Sequence, residues 1–209
     1  MRISELSARS GVSIASIKYY LREGLLTSGR QSATNQADYG EYHVRRLRLI
    51  RSLIDIGGLS ISKVRATLAA MEDETTPIHD AFGAVMHGLD EIPTDNPSAD
   101  IGAAYDEVQA WLKARNWRIE DDAPAPYRLA ELIATLRRFG FPAAPTDFDA
   151  SADFVDRTAE AEVHYARSMP DRTAAIETML IGTVIYERAL VEVRRLALEA
   201  ASFRLDKTD

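Results

Sequence analysis

A chain of 209 residues, 46% hydrophobic and 27% charged, has the apolar material for a core and the length for one large or two small domains. With no cysteine it forms neither disulfides nor thiolate metal sites. The absence of an 18-residue apolar run and of a signal-peptide pattern predicts a soluble, cytoplasmic protein with no membrane partner. The net charge of −7 is unevenly spread: residues 1–70 carry 11 Lys and Arg against 5 Asp and Glu, and the remainder 14 against 27. A basic head of this kind is the electrostatic footprint of a surface that meets phosphates.

Residues 1–24 read as two short helices separated by Ser10-Gly11-Val12-Ser13, where Gly11 permits the turn and Ser13 caps the second helix. Periodicity is lost from Leu25 to Tyr39, where Gly29, Ser32, Thr34 and Asn35 suit a short strand pair as well as a loop, and the segment is read as a wing. Helical signal returns over 41–56, with Val44, Leu47, Leu49, Ile50, Leu53 and Ile54 covering more than half the circumference. Gly57-Gly58 breaks the chain, and Ser60 caps a helix that runs to Glu72. The acidic run Glu72-Asp73-Glu74 before Thr75-Thr76-Pro77 sets the expected domain boundary, giving a head of 1–74 and a helical part of 75–209.

Helices are predicted beyond it near 78–91, 100–116, 126–139, 152–167 and 171–203, with Pro126 at a first helical position and Pro-bearing loops at 92–99, 121–125 and 141–149. The fold class is therefore mainly α: a winged helix-turn-helix followed by an all-helical domain. The last helix carries a stripe of Ile176, Leu180, Val184, Val191 and Leu198 that faces either its own domain or a partner copy.

On a helical wheel of residues 13–23, Ile14, Ile17 and Leu21 form a narrow stripe expected to be buried. Ser16 and Tyr19 lie opposite it, Ala15 and Arg22 on one flank, Tyr20 on the other and Lys18 at the margin. Small residues at the N-terminal end let such a helix settle into a major groove, while hydroxyls and long cations reach phosphates.

At these residues the chain resembles MerR-type regulators. The match runs in order through Ile3-Ser4-Glu5-Leu6-Ser7, Gly11-Val12-Ser13, Ile17-Lys18-Tyr19-Tyr20 and Gly24-Leu25-Leu26, continues past Tyr39 to Val44-Arg45-Arg46-Leu47-Arg48-Leu49-Ile50-Arg51, and ends on Gly58-Leu59-Ser60. It covers about a third of the chain. Two departures stand out. The family's Arg-Tyr-Tyr-Glu is here Lys18-Tyr19-Tyr20-Leu21, which keeps the charge but loses the planar fork, and its wing arginine is replaced by Ala37.

The resemblance implies a homodimer that holds double-stranded promoter DNA, works with RNA polymerase there, and acts by deforming the duplex as well as reading it. The implied DNA-contacting set is Ser13, Ala15, Ser16, Lys18, Tyr19, Tyr20, Arg22, Arg30, Tyr39, Arg45 and Arg48, with Arg30 or the Arg45–Arg48 pair as substitutes for the wing arginine. The bland alternative is that Tyr20 packs the interior and Arg45 and Arg48 form a solvated face. A second reading is an architectural or recombination-accessory protein that bends DNA without sensing an effector.

In the helical part the aromatics Tyr105, Trp111, Trp117, Tyr127, Phe139, Phe141, Phe154, Tyr165 and Tyr186 read either as core or as the walls of a small-molecule effector pocket. Asp149, Asp153, Asp156, Glu160 and His164 share a helical face, read as a solvated acidic face rather than a metal site. No metal or other cofactor is expected. Without a Gly-rich phosphate loop, a paired metal motif or a nucleophile elbow, no enzyme is expected either.

Overall fold

The computed structural model describes residues 1–33, 36–89 and 98–206. Chain order gives α1 (Ile3–Ser10), α2 (Ile14–Arg22), β1 (Arg30–Ala33), β2 (Gln36–Asp38), α3 (Glu41–Asp55), α4 (Ile61–Glu72), α5 (Ile78–Leu89), α6 (Ala99–Ala114), α7 (Pro124–Arg138), a 3₁₀ turn (Pro145–Phe148), α8 (Asp149–Arg167) and α9 (Arg172–Asp206). The mainly α architecture expected from periodicity is the one observed. The wing is an antiparallel strand pair in which Arg30 faces Asp38 and Gln31 faces Ala37. Thr34, Asn35 and most of the expected 92–99 loop lie outside the described residues.

Two helix starts differ from expectation by more than one residue, for local reasons. Helix α7 begins at Pro124, so that Pro124 and Pro126 both fall in its first turn, where no backbone N–H has an intrahelical acceptor to lose. Helix α8 begins at Asp149 instead of Ala152, because the 3₁₀ turn at Pro145 runs directly into it.

Three apolar clusters hold these elements. The first joins Leu6, Val12, Ile17, Leu26, Tyr39, Val44 and Leu47, and packs α1, α2, the wing and one side of α3 together. The second is larger and runs through Leu49, Ile50 and Leu53 of α3, Val64 and Leu68 of α4, Phe82 and Val85 of α5, and Ile176, Leu180 and Val184 of α9. Helix α3 is apolar around most of its girth because it faces both clusters. The third cluster lies between α6 and α7, around Ala104, Val108, Ala130 and Ile133.

The turn after α4 is held by Asp73, whose carboxylate accepts from the Thr75 amide (2.9 Å), the Thr75 hydroxyl (2.6 Å) and the Thr76 hydroxyl (2.7 Å). These donors favour the charged carboxylate and lower its pKa to about 2. A depressed carboxyl pKa adds stability that is complete above the ordinary value of about 3.9 and is lost as pH falls through about 2. NMR titration of the Asp73 side chain is expected to give a midpoint near the lower value, and a midpoint at the ordinary one would contradict the geometry.

Candidate nucleic-acid interface

The helix-turn-helix is set by its turn. Gly11 ends α1 at φ 72°, and its amide donates to the Ser7 carbonyl. The Ser7 hydroxyl donates to the Val12 carbonyl at 2.6 Å, and Ser13 caps α2 by accepting from the Ser16 amide at 3.1 Å. A Cβ at Gly11 would lie 2.9 Å from Arg51 Nη1, in a backbone region that costs an L-residue about 1–2 kcal/mol. Gly11→Ala is expected to lower unfolding stability by about that amount, measured by urea denaturation; an unchanged midpoint would show that the turn tolerates a side chain.

Of the expected buried stripe on α2, Ile17 is fully buried and Leu21 partly so, but Ile14 is 39% exposed. Ile14 lies in the first turn of α2, ahead of the first-cluster packing that buries Ile17. It therefore joins Ala15, Lys18, Tyr19 and Arg22 on the exposed side. Ser16 is only partly exposed, its hydroxyl 2.8 Å from that of Ser13. Tyr20 is partly buried and packs against both the first and second clusters. Arg22 stacks on Tyr19 with its guanidinium carbon 5.9 Å from the ring centroid, which extends the cation along the helix surface.

Lys18 lines a groove of about 790 Å³ with Leu21, Gly29, Gln31, Gln36 and Ala37, so the marginal position on the wheel faces the wing. Gly29 lets the strand approach, since a Cβ there would be 2.6 Å from the Asp38 carbonyl oxygen. Tyr39 is not on the surface. It is 9% exposed, meets His43 edge-on at 5.1 Å, and exchanges backbone hydrogen bonds with Met1 that pin the wing to the start of the chain.

The cations of α3 are already engaged. Arg45 pairs with Glu177 of α9 at 2.8 Å, Arg48 donates to the Arg9 carbonyl at 3.0 Å, and Arg51 donates to Asp55 and to the Gly11 carbonyl, both at 2.9 Å. Both members of the pair offered as substitutes for the wing arginine thus use one arm to hold α3 to α9 and to α1, and both side chains stay exposed. Glu41 holds Arg9 in a two-point pair, which raises the Arg9 pKa and lowers that of Glu41. Among the described residues, Lys18, Arg22 and Arg30 carry no ion pair, and Arg22 and Arg30 are exposed.

The aromatics of the helical part do not form one pocket. Tyr105 and Tyr127 meet at 6.4 Å beside the α6–α7 core, Trp111 and Trp117 wall a recess between α6, α7 and α8, and Tyr165 and Tyr186 line a groove between α8 and α9. Phe139, Phe141 and Phe154 are exposed. Most of the acidic stripe on α8 braces α6: Asp149 accepts from Trp111 Nε1 at 2.7 Å and from Arg115 at 3.2 Å, Asp153 takes the other arm of Arg115, and Asp156 accepts from Trp117 Nε1 at 3.0 Å. Glu160 and His164 remain exposed, 3.8 Å apart.

Residues 1–71 match the family described as MerR HTH family regulatory protein. Over 92 residues, 44% of this chain, it is 32% identical to the HTH-type transcriptional regulator HmrR of Sinorhizobium medicae (strain WSM419). Over the same length it is 29% identical to the Heavy metal-dependent transcription regulator 2 of Rhizobium meliloti (strain 1021). The match spans 62% of the length of each of these relatives. The crystal structure of the "putative transcriptional regulator SCO5550" from Streptomyces coelicolor A3(2) superimposes with a TM-score of 0.76 at 30% identity, covering 98% of this chain and 97% of that one. Residues 1–71 are thus a MerR-family helix-turn-helix domain, carried on a chain that shares nearly its whole fold with that transcriptional regulator of Streptomyces coelicolor.

Proposed function

We propose that the protein binds promoter DNA sequence-specifically as a cytoplasmic homodimer, working with RNA polymerase there under the control of a small-molecule effector. The observation that carries the DNA reading is the exposed side of α2. Ala15, Lys18, Tyr19 and Arg22 stand clear of the core, beside a wing that carries Arg30, and no carboxylate neutralises the three cations among the described residues. Small residues at the N-terminal end of a recognition helix and cations further along are what a major groove and its flanking phosphates accept. No helix among the described residues is long and apolar enough to cross a membrane. The metal dependence named for one relative finds no thiolate ligand here, as the chain has no cysteine.

The homodimer reading rests on α9. Ile176, Leu180 and Val184 are buried in the second cluster, whereas Val191 and Leu198 of the same sequence stripe are exposed. Nearly every residue from 185 to 206 is exposed, a length of about 33 Å at the usual helical rise. Gly182, Tyr186, Ala189, Val193, Leu196, Ala200 and Phe203 recur at alternating steps of four and three, the spacing of a coiled-coil seam. The groove lined by Tyr165, Met179, Gly182 and Tyr186 opens at the start of that seam. An apolar helix face of this length is covered most simply by the same helix of a second copy.

Selection from a pool of random duplexes at about 0.15 M salt tests the proposal. Enrichment of an inverted repeat is the expected result. A pool that stays random, with all duplexes held alike, would refute specific recognition.

A further inference from the structure

The recess between α6, α7 and α8 has a volume of about 300 Å³, at the small end of the range for ligand sites. Its walls are almost wholly apolar, formed by Trp111, Trp117, Leu129, Phe148 and Val155 among others. The two indole N–H groups are already bonded to Asp149 and Asp156, so the rings offer the cavity only apolar surface. Arg115 fixes both rings. Its guanidinium carbon lies 5.3 Å from the Trp111 centroid and 5.1 Å from that of Trp117, while its two arms pair with Asp149 and Asp153. The rings meet edge to face at 5.6 Å, so this wall is built before any ligand arrives. The remaining polar side chain on the lining is Ser151, whose hydroxyl has no protein partner among the described residues.

We propose that this recess binds a small, neutral, mainly aromatic molecule with at most one hydrogen-bonding group, which Ser151 meets. A charged ligand is excluded because nothing on the wall repays its desolvation. The inference rests on the regulator reading only for the consequence of binding. That consequence would pass along α8, which supplies Ser151 and Val155, to α9, which α8 packs against and which holds α3 through Glu177–Arg45 and through Arg188 donating to the Ile56 carbonyl.

Trp111 and Trp117 are the only tryptophans in the chain, so their emission reports on this recess. The full chain is titrated with N-phenyl-1-naphthylamine, a neutral dye, and separately with 8-anilinonaphthalene-1-sulfonate, which has the same ring skeleton and a negative charge. The expected result is saturable quenching at one site per chain, with the neutral dye preferred by about tenfold or more. Val155→Phe is expected to weaken that binding about tenfold, as is Ser151→Phe, which alters an exposed wall position on which folding does not depend; Phe154→Ala, on the outer face of α8, is expected to leave it unchanged. Absence of saturable quenching, equal affinity for the two dyes, or quenching that survives both filling substitutions would overturn the proposal. The last outcome would place the dye on the apolar face of α9. Failure of the chain to select any duplex would overturn the regulator reading alone and leave the dye result standing.

Discussion

Replacing Lys18 and Arg22 together with alanine is expected to weaken operator binding about 100-fold at 0.15 M salt, with the circular dichroism spectrum and the melting temperature unchanged. The magnitude comes from two lost cationic contacts at about 1–2 kcal/mol each, with each factor of ten worth about 1.4 kcal/mol. Because each lost phosphate contact also removes a released counterion, the slope of log affinity against log salt is expected to fall by about two. The fold is spared because both side chains leave α2 on its exposed side, while Ile17 and Tyr20 make its core contacts. Fluorescence anisotropy of a labelled duplex across a salt series reads both quantities. An unchanged slope would mean that neither residue meets a phosphate, and would shift attention to Arg30 and the wing.

Charging the α9 seam is expected to have a comparable effect by a different route. Val193→Glu with Leu196→Glu places two carboxylates in the apolar face by which two copies are proposed to join. Both positions are well exposed in the single chain, at 60% and 65%, so the monomer fold gains no buried charge. At the interface the same charges would lie desolvated and opposite one another, each costing several kcal/mol. Light scattering is expected to give twice the 23.2 kDa chain mass for the parent and the single chain mass for the variant. Operator affinity should fall about 100-fold or more, because a monomer engages one half-site in place of two. A variant that keeps the doubled mass would move the interface elsewhere on the helical part.

The head is legible in the sequence because its signals are local. Ser13 caps three residues ahead, Gly11 supplies the left-handed turn, and Ile17 keeps the helical period, so each can be assigned from a window of a dozen residues. Ile14 is not legible in this way. Its side chain is apolar and in phase, and only the packing of the other helices decides that the first turn is left partly open, with Ile14 39% exposed. Arg45 presents the same difficulty in charge: its partner Glu177 lies 132 residues away, so no local window shows that this cation also joins α3 to α9. The aromatics of the helical part are recognisable as a set, but helical spacing does not say which of three separate places a ring occupies or which rings, as Phe139, Phe141 and Phe154, stay exposed. The acidic face of α8 reads as solvated, and its first half is a brace because Arg115 and the two indoles arrive from α6 and the turn after it.

The claim that organises these observations is that two copies of α2 read one DNA site. Hydroxyl-radical footprinting of the full chain on its selected duplex tests it most directly. The expected result is two protected segments related by a two-fold axis and centred about 34 Å apart, one helical turn, or a multiple of it, with both lost together in the Lys18 and Arg22 double variant. A single unsymmetric protected segment, or uniform protection along the duplex, would contradict it.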